Sequence, residues 1–162
     1  MSKLIKNGES QNNPWQIVEA DALADTALNN GQWLIPAEAW LSNPSVYQGD
    51  NIGIWIATDF NPDSLTKSMA KLPVIAIVFG AFADGRGFSL ARILREDCDY
   101  TGELQAAGGY MQDQLFFLQR CGFNAYCVND DADIESMKES LGDFSNSYQA
   151  STDESRPLFR RR

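Results

Sequence analysis

The chain of 162 residues is 44% hydrophobic and 22% charged, the size and balance of one globular domain whose core needs neither disulfides nor a structural metal. Thirteen basic against 22 acidic residues give a net charge of −9, a field that repels phosphate polymers and anionic headgroups and so excludes nucleic acid and membrane surfaces as partners. Histidine is absent, which removes His-based triads, HExxH zinc sites, His-ligated haem and imidazole proton shuttles.

Residues 1–13 are polar, lack a signal-peptide apolar stretch and read as a flexible N-terminal segment. An α/β domain is expected over 14–149 and a flexible C-terminal tail over 150–162. No apolar run approaches the roughly 20 residues of a membrane-spanning helix, so the expected location is the cytoplasm. Pro14-Trp15-Gln16-Ile17-Val18 has the pattern of an edge strand or hairpin arm. β-rich apolar runs then recur at Trp33–Ile35, Ile52–Ala57, Val74–Phe79, Gly102–Ala106 and Ala125–Val128. Their centres lie roughly 20 to 28 residues apart, the repeat of a βα unit.

Helical stretches separate these runs. Asn61-Pro62 is an N-cap with Pro at the first helical position, and Leu65, Met69 and Leu72 fall on one face of a helix ending at Pro73. Ser89–Asp97 carries Leu90, Ile93 and Leu94 at helical spacing. Gly109–Arg120 carries Met111, Leu115 and Leu118 and closes at Cys121-Gly122; Asp131–Leu141 forms a last amphipathic helix. The continuous apolar run Val74–Phe79 is expected at the centre of a sheet covered on both faces. The pattern predicts a single α/β domain with a mostly parallel five-stranded sheet flanked by helices. An open doubly wound arrangement leads, with a partial barrel as the alternative.

Cys98, Cys121 and Cys127 form no CxxC pair and read as buried small hydrophobes in a reduced compartment, a redox pair being the other reading. Four of the basic residues are Arg156, Arg160, Arg161 and Arg162, so the chain before them carries −13. Such a tail reads as a solvated or self-docking end, with partner capture as the competing reading.

In an open α/β sheet the ligand lies beyond the carboxyl ends of the strands. The loop after the central strand, Phe82-Ala83-Asp84-Gly85-Arg86-Gly87-Phe88-Ser89, joins two glycines, a Ser89 able to cap the next helix and Arg86, with Arg92 and Arg95 further along that helix. Helix N-termini and guanidinium forks both attract anions, so the segment reads as a small anion cradle. Gly108-Gly109, at the end of the next strand, opens toward Asp113 and Gln114 and would line the same crevice. The structural alternative pairs these arginines with Glu103 and Asp113. The loop is neither a dinucleotide fingerprint nor a Walker A motif.

The run from Phe79 to Tyr126 resembles a known family: Phe82-x-Asp84-Gly85-Arg86-Gly87-Phe88-Ser89-x-Ala91-Arg92-x-Leu94-Arg95, Tyr100-Thr101-Gly102-Glu103-Leu104, and Asp113-Gln114 leading to Arg120-Cys121-Gly122-Phe123. Leu34-Ile35-Pro36, Trp40-Leu41, Ile52–Ile56 and Phe144-Ser145-x-x-Tyr148-Gln149 extend the likeness over residues 30–149. The pattern is similar to the bacterial domain of unknown function 934, described as an oxidoreductase component associated with assimilatory sulfite reduction, its reaction not established. The chain departs from it at Gln105, where members generally carry Arg. The resemblance implies an accessory protein of sulfite reduction that binds a small oxyanion or the sulfite reductase. Asp84, Gly85, Arg86, Gly87, Ser89, Arg92, Glu103, Gly108, Asp113 and Gln114 are the candidate ligand-binding residues.

No Fe–S, haem or flavin signature is visible, so a redox role would need an external cofactor of unknown identity. A His-free enzyme acting on a phosphorylated or sulfonated small molecule is a second reading, with Asp84, Glu103 or Asp113 as acid or base. A structural partner docking through Trp40, Tyr47 or Phe159 is a third, and a homo-oligomer stays open.

Overall fold

The computed structural model describes residues 3–80, 84–129 and 132–142. Eight strands form one mixed sheet: β1 (Lys3–Lys6), β2 (Glu9–Asn12), β3 (Trp15–Ile17), β4 (Gln32–Pro36), β5 (Ile52–Ala57), β6 (Val74–Phe79), β7 (Glu103–Gly108) and β8 (Ala125–Val128). Helices α1 (Ala37–Ser42), α2 (Arg86–Glu96), α3 (Leu115–Cys121) and α4 (Ile134–Gly142) accompany it. The tail over 150–162, Phe159 and the late Phe144–Gln149 motif lie outside the described residues. No described helix is long and apolar enough to cross a membrane.

The spatial order is β2-β1-β8-β7-β6-β5-β4-β3, and every pair from β3 to β8 is parallel. This corrects the expectation of five strands in a doubly wound sheet: the six strands β3 to β8 pair in parallel, and β1 alone runs against the rest, pairing antiparallel with both β8 and β2. The order runs monotonically from β3 to β8, so there is no switch point. Each connection steps to the adjacent strand, and right-handed crossovers then all fall on one face. That face holds the main core, where Ile54, Ile56, Ile75, Ile77, Leu104 and Ala106 meet Leu90 and Leu94 of α2 and Leu115 and Leu118 of α3. Burying each large aliphatic contributes about 1.5–3 kcal/mol.

The other face has its own apolar set, Trp15, Leu34, Val74 and Ala76 with half-buried Trp55. With the crossovers on the opposite side, this face is covered by the sheet's own curl, which makes a half-barrel. The partial-barrel alternative is therefore nearer the observed fold. The two edge strands β2 and β3 are separated only by Asn13-Pro14, and three Cα steps of 3.80 Å hold Asn12 and Trp15 within about 11 Å. The run Glu9–Ile17 thus pairs with β1 through its first half and with β4 through its second.

Residues 3–12, expected to be flexible, belong to the sheet. Leu4 and Ile5 are buried, and β1 pairs antiparallel with β8. The turn Asn7-Gly8 has positive φ at both residues, 55° and 77°, the backbone of a two-residue hairpin whose twist suits the flanking strands. The expected helix after Asn61 is two short 3-10 turns, Pro62–Ser64 and Lys67–Lys71. Thr66 between them is extended, yet Leu65, Met69 and Leu72 are all buried as their spacing predicts. Asn61 does cap the first turn, accepting the Asp63 N–H at 3.1 Å. Trp40, a candidate docking residue, belongs to the core, and Tyr47 packs against it half-buried.

Candidate functional site

Parallel strands deliver their carboxyl ends to one rim, and two glycine bends meet there. Phe79 and Gly108 are register partners, and the Gly109 N–H donates to the Phe79 carbonyl at 2.7 Å. Gly108 has φ +84°, and a Cβ on it would lie 2.4 Å from the Phe79 oxygen, so the close approach of β6 and β7 needs glycine. Gly87 is buried, and a Cβ there would strike the Phe79 ring at 2.5 Å. The first turn of α2 therefore sits directly on the end of β6.

The helix begins three residues earlier than expected. Gly85 is its N-cap and Arg86 its first residue, while Ser89 is exposed and does not cap. Asp84 does the work assigned to Ser89. Its carboxylate accepts the Arg86 backbone N–H at 3.1 Å, Nε at 2.9 Å and Nη2 at 2.8 Å, and the Thr58 hydroxyl from the end of β5. These donors, Arg86 first and Thr58 next, hold the carboxyl well below the ordinary carboxylate range. The spot that would attract an anion at the start of α2 thus holds the chain's own carboxylate. Arg86 is fixed by a two-point contact, yet its side chain remains 65% exposed.

Arg92 and Arg95 do not join it. Arg92 pairs with Glu96 one turn on at 3.2 Å, both exposed, an arrangement that contributes about 0–1 kcal/mol. Arg95 donates to the carbonyls of Gly122, Tyr100 and Gly102 at 2.9, 2.7 and 3.0 Å. It lies 5.2 Å from the Tyr100 ring. It ties the loops at the amino end of β7, opposite the rim, and burial lowers its pKa. Glu103 opens β7 at that same amino end. Its carboxylate pairs with Lys6 of β1 and accepts the Gln105 amide at 2.6 Å, so the expected pairing with the arginines is replaced by one with a lysine that sequence reasoning passed over. Asp113 is exposed in the 3-10 turn Gln112–Gln114, and Gln114 caps that turn by accepting the Met111 N–H at 2.9 Å.

The structure thus brings Asp84, Gly85, Arg86, Gly87 and Gly108 to one rim, with Asp113 and Gln114 in the turn leading from it to α3, and separates Arg92 and Glu103 from them. Thr58 was missed; its only signal is its place just beyond β5. An exposed apolar patch lies between α2 and α3. Phe88 in the first turn of α2 stacks on Phe117 of α3 at 5.1 Å, and Phe117 and Met111 are 57% and 46% exposed.

A family model described as a bacterial protein of unknown function, DUF934, matches residues 53–159. No curated protein and no solved structure matches the chain.

Proposed function

The chain belongs to the bacterial family of unknown function DUF934, and we propose that it is an accessory protein of assimilatory sulfite reduction, acting by docking on the sulfite reductase through its carboxyl rim. The observation that carries this reading is Arg86, held in place by Asp84 yet largely exposed. A fixed guanidinium loses little entropy on binding. Phe117 and Met111, exposed on α3 and in the turn before it, are residue types enriched at interfaces. Binding of a free oxyanion is the weaker alternative, because Asp84 already occupies the donors at the start of α2. An acid–base role for Asp84 is weaker still: a carboxyl held ionised by Arg86 and Thr58 has no proton to give near neutral pH.

Association of the purified chain with purified sulfite reductase, followed by size-exclusion chromatography and calorimetry, tests the reading. The wild type should form a complex that Arg86→Ala and Phe117→Asp each weaken by at least about tenfold. Absence of a complex, or equal affinity of the variants, would refute rim docking. Saturable sulfite binding lost in Arg86→Ala would favour the oxyanion alternative.

A further inference from the structure

The half-barrel encloses a second place, which shares Gly108 with the rim but not Arg86 or Asp84. Inside the curl, near the carboxyl ends of β7 and β8, lies a hollow of about 380 Å³ lined by Asn13, Trp15, Ile17, Gln105, Ala107 and Cys127 among others. Its volume is in the range of small-molecule sites, and the mouth of a barrel at the strands' carboxyl ends is where such sites form. The lining combines apolar walls with a short line of neutral polar groups. The Asn13 amide donates to the Cys127 sulfur at 3.4 Å, and the thiol donates to Gln105 Oε1 at 3.4 Å. The Gln105 amide nitrogen donates one hydrogen to Glu103 at 2.6 Å, leaving its second N–H without a partner among the described residues.

Gln105 is 0% exposed, fully removed from bulk water. A buried amide with unspent hydrogen-bonding capacity is costly unless something complements it. Among the described residues no charged side chain lines the hollow, and the Glu103 carboxylate that holds the Gln105 amide is paired with Lys6. A net-negative chain offers an anion nothing here, and a cation would find no carboxylate among the described lining residues. An uncharged molecule fits: a flat apolar body against Trp15 and Ile17, and an edge carrying donor and acceptor together to match the amides of Gln105 and Asn13.

We propose that this hollow binds a small, planar, uncharged molecule bearing a carboxamide-like edge, at a site separate from the Arg86 rim. The walls come from β3, β4, β7 and β8, brought together only by the curl. The site therefore exists only where the sheet curls.

The test is an NMR titration of the full chain with benzamide and, separately, benzoate, which has the same shape and a negative charge. Benzamide should saturably shift the side-chain amides of Gln105 and Asn13 and the Trp15 indole, and benzoate should bind at least about tenfold more weakly. Ile17 is 43% exposed at the mouth, so Ile17→Trp narrows the entrance without disturbing the core and should weaken benzamide by a similar factor. Lack of a saturable benzamide shift in the wild type, equal response to benzoate, or shifts confined to residues outside the hollow would each overturn the proposal. The wild-type titrations decide it even if the variant folds poorly.

Discussion

Gly108→Ala tests whether the rim is built on the close approach of β6 and β7. Position 108 has φ +84°, and the new methyl would meet the Phe79 carbonyl at 2.4 Å, a backbone atom held in the parallel ladder that cannot rotate away. Left-handed backbone costs a residue with a Cβ roughly 1–2 kcal/mol. Relieving the contact forces apart the Gly109 N–H and Phe79 oxygen, whose bond contributes about 1 kcal/mol. A loss of about 2–3 kcal/mol is therefore expected, read as a lower urea midpoint at unchanged slope. The internal control is Gly85→Ala, one bend away, where the backbone is helical, φ −69° and ψ −11°, and a Cβ meets open space. That variant should stay within about 1 kcal/mol of wild type. The reasoning fails if Gly108→Ala loses less than about 1 kcal/mol, or if the two substitutions are equally harmful.

Asp84 carries a pH signature. Its folded pKa lies below the ordinary value of 3.8, so its stabilisation is fully present above that value and fades as pH falls through the lower folded pKa. Wild type and Asp84→Asn should therefore differ in urea stability at neutral pH and converge on acidification below 3.8, and a constant gap down to the lowest pH would contradict the pairing. Arg95→Ala removes three donors to loop carbonyls and should lower stability by about 2–4 kcal/mol in chemical denaturation. Arg95→Lys should recover only part of it, because an ammonium cannot span three acceptors with a planar fork. Burial pushes the Cys127 thiol up to about 12, so alkylation at pH 8 should be slow in the native protein and fast in urea. Because the unfolded thiol ionises near 9.0, this group withdraws stability only as pH rises above that value; rapid native labelling at pH 8 would show the thiol to be better solvated than its surroundings imply.

Local structure was legible where one physical signal dominated. Ile52–Ala57 and Ala125–Val128 are strands at their expected bounds, and the helix closing at Cys121-Gly122 ends as anticipated, with Gly122 left-handed at φ 112°. Strand order was not legible. A run such as Val74–Phe79, apolar on both faces, reads identically whether its second face is covered by helices or by the sheet's own curl, and βα spacing is the same for both. The N-terminal hairpin had a readable sign in Asn7-Gly8 beside Leu4-Ile5, obscured by the polar residues around it. At the rim, the glycines were found because backbone geometry demands them, whereas the arginines were grouped by proximity in sequence. Spacing along a helix does not say which way a long side chain reaches, and Arg95 reaches toward the amino end of the sheet. Gln105, a polar residue two places after Glu103 in β7, gave no hint that it faces the interior.

The junction at Asn13-Pro14 also bears on how the chain acquires its structure. Lys3–Lys6 pairs with Glu9–Asn12 on one side and with Ala125–Val128 on the other, so one side of β1 must wait for a strand far along the chain. Contacts so distant along the chain delay folding, and until β8 arrives Leu4 and Ile5 have only the neighbours their own hairpin supplies. The consequence is a hairpin that stays half-paired, and open to chaperones and proteases, until β8 has been made.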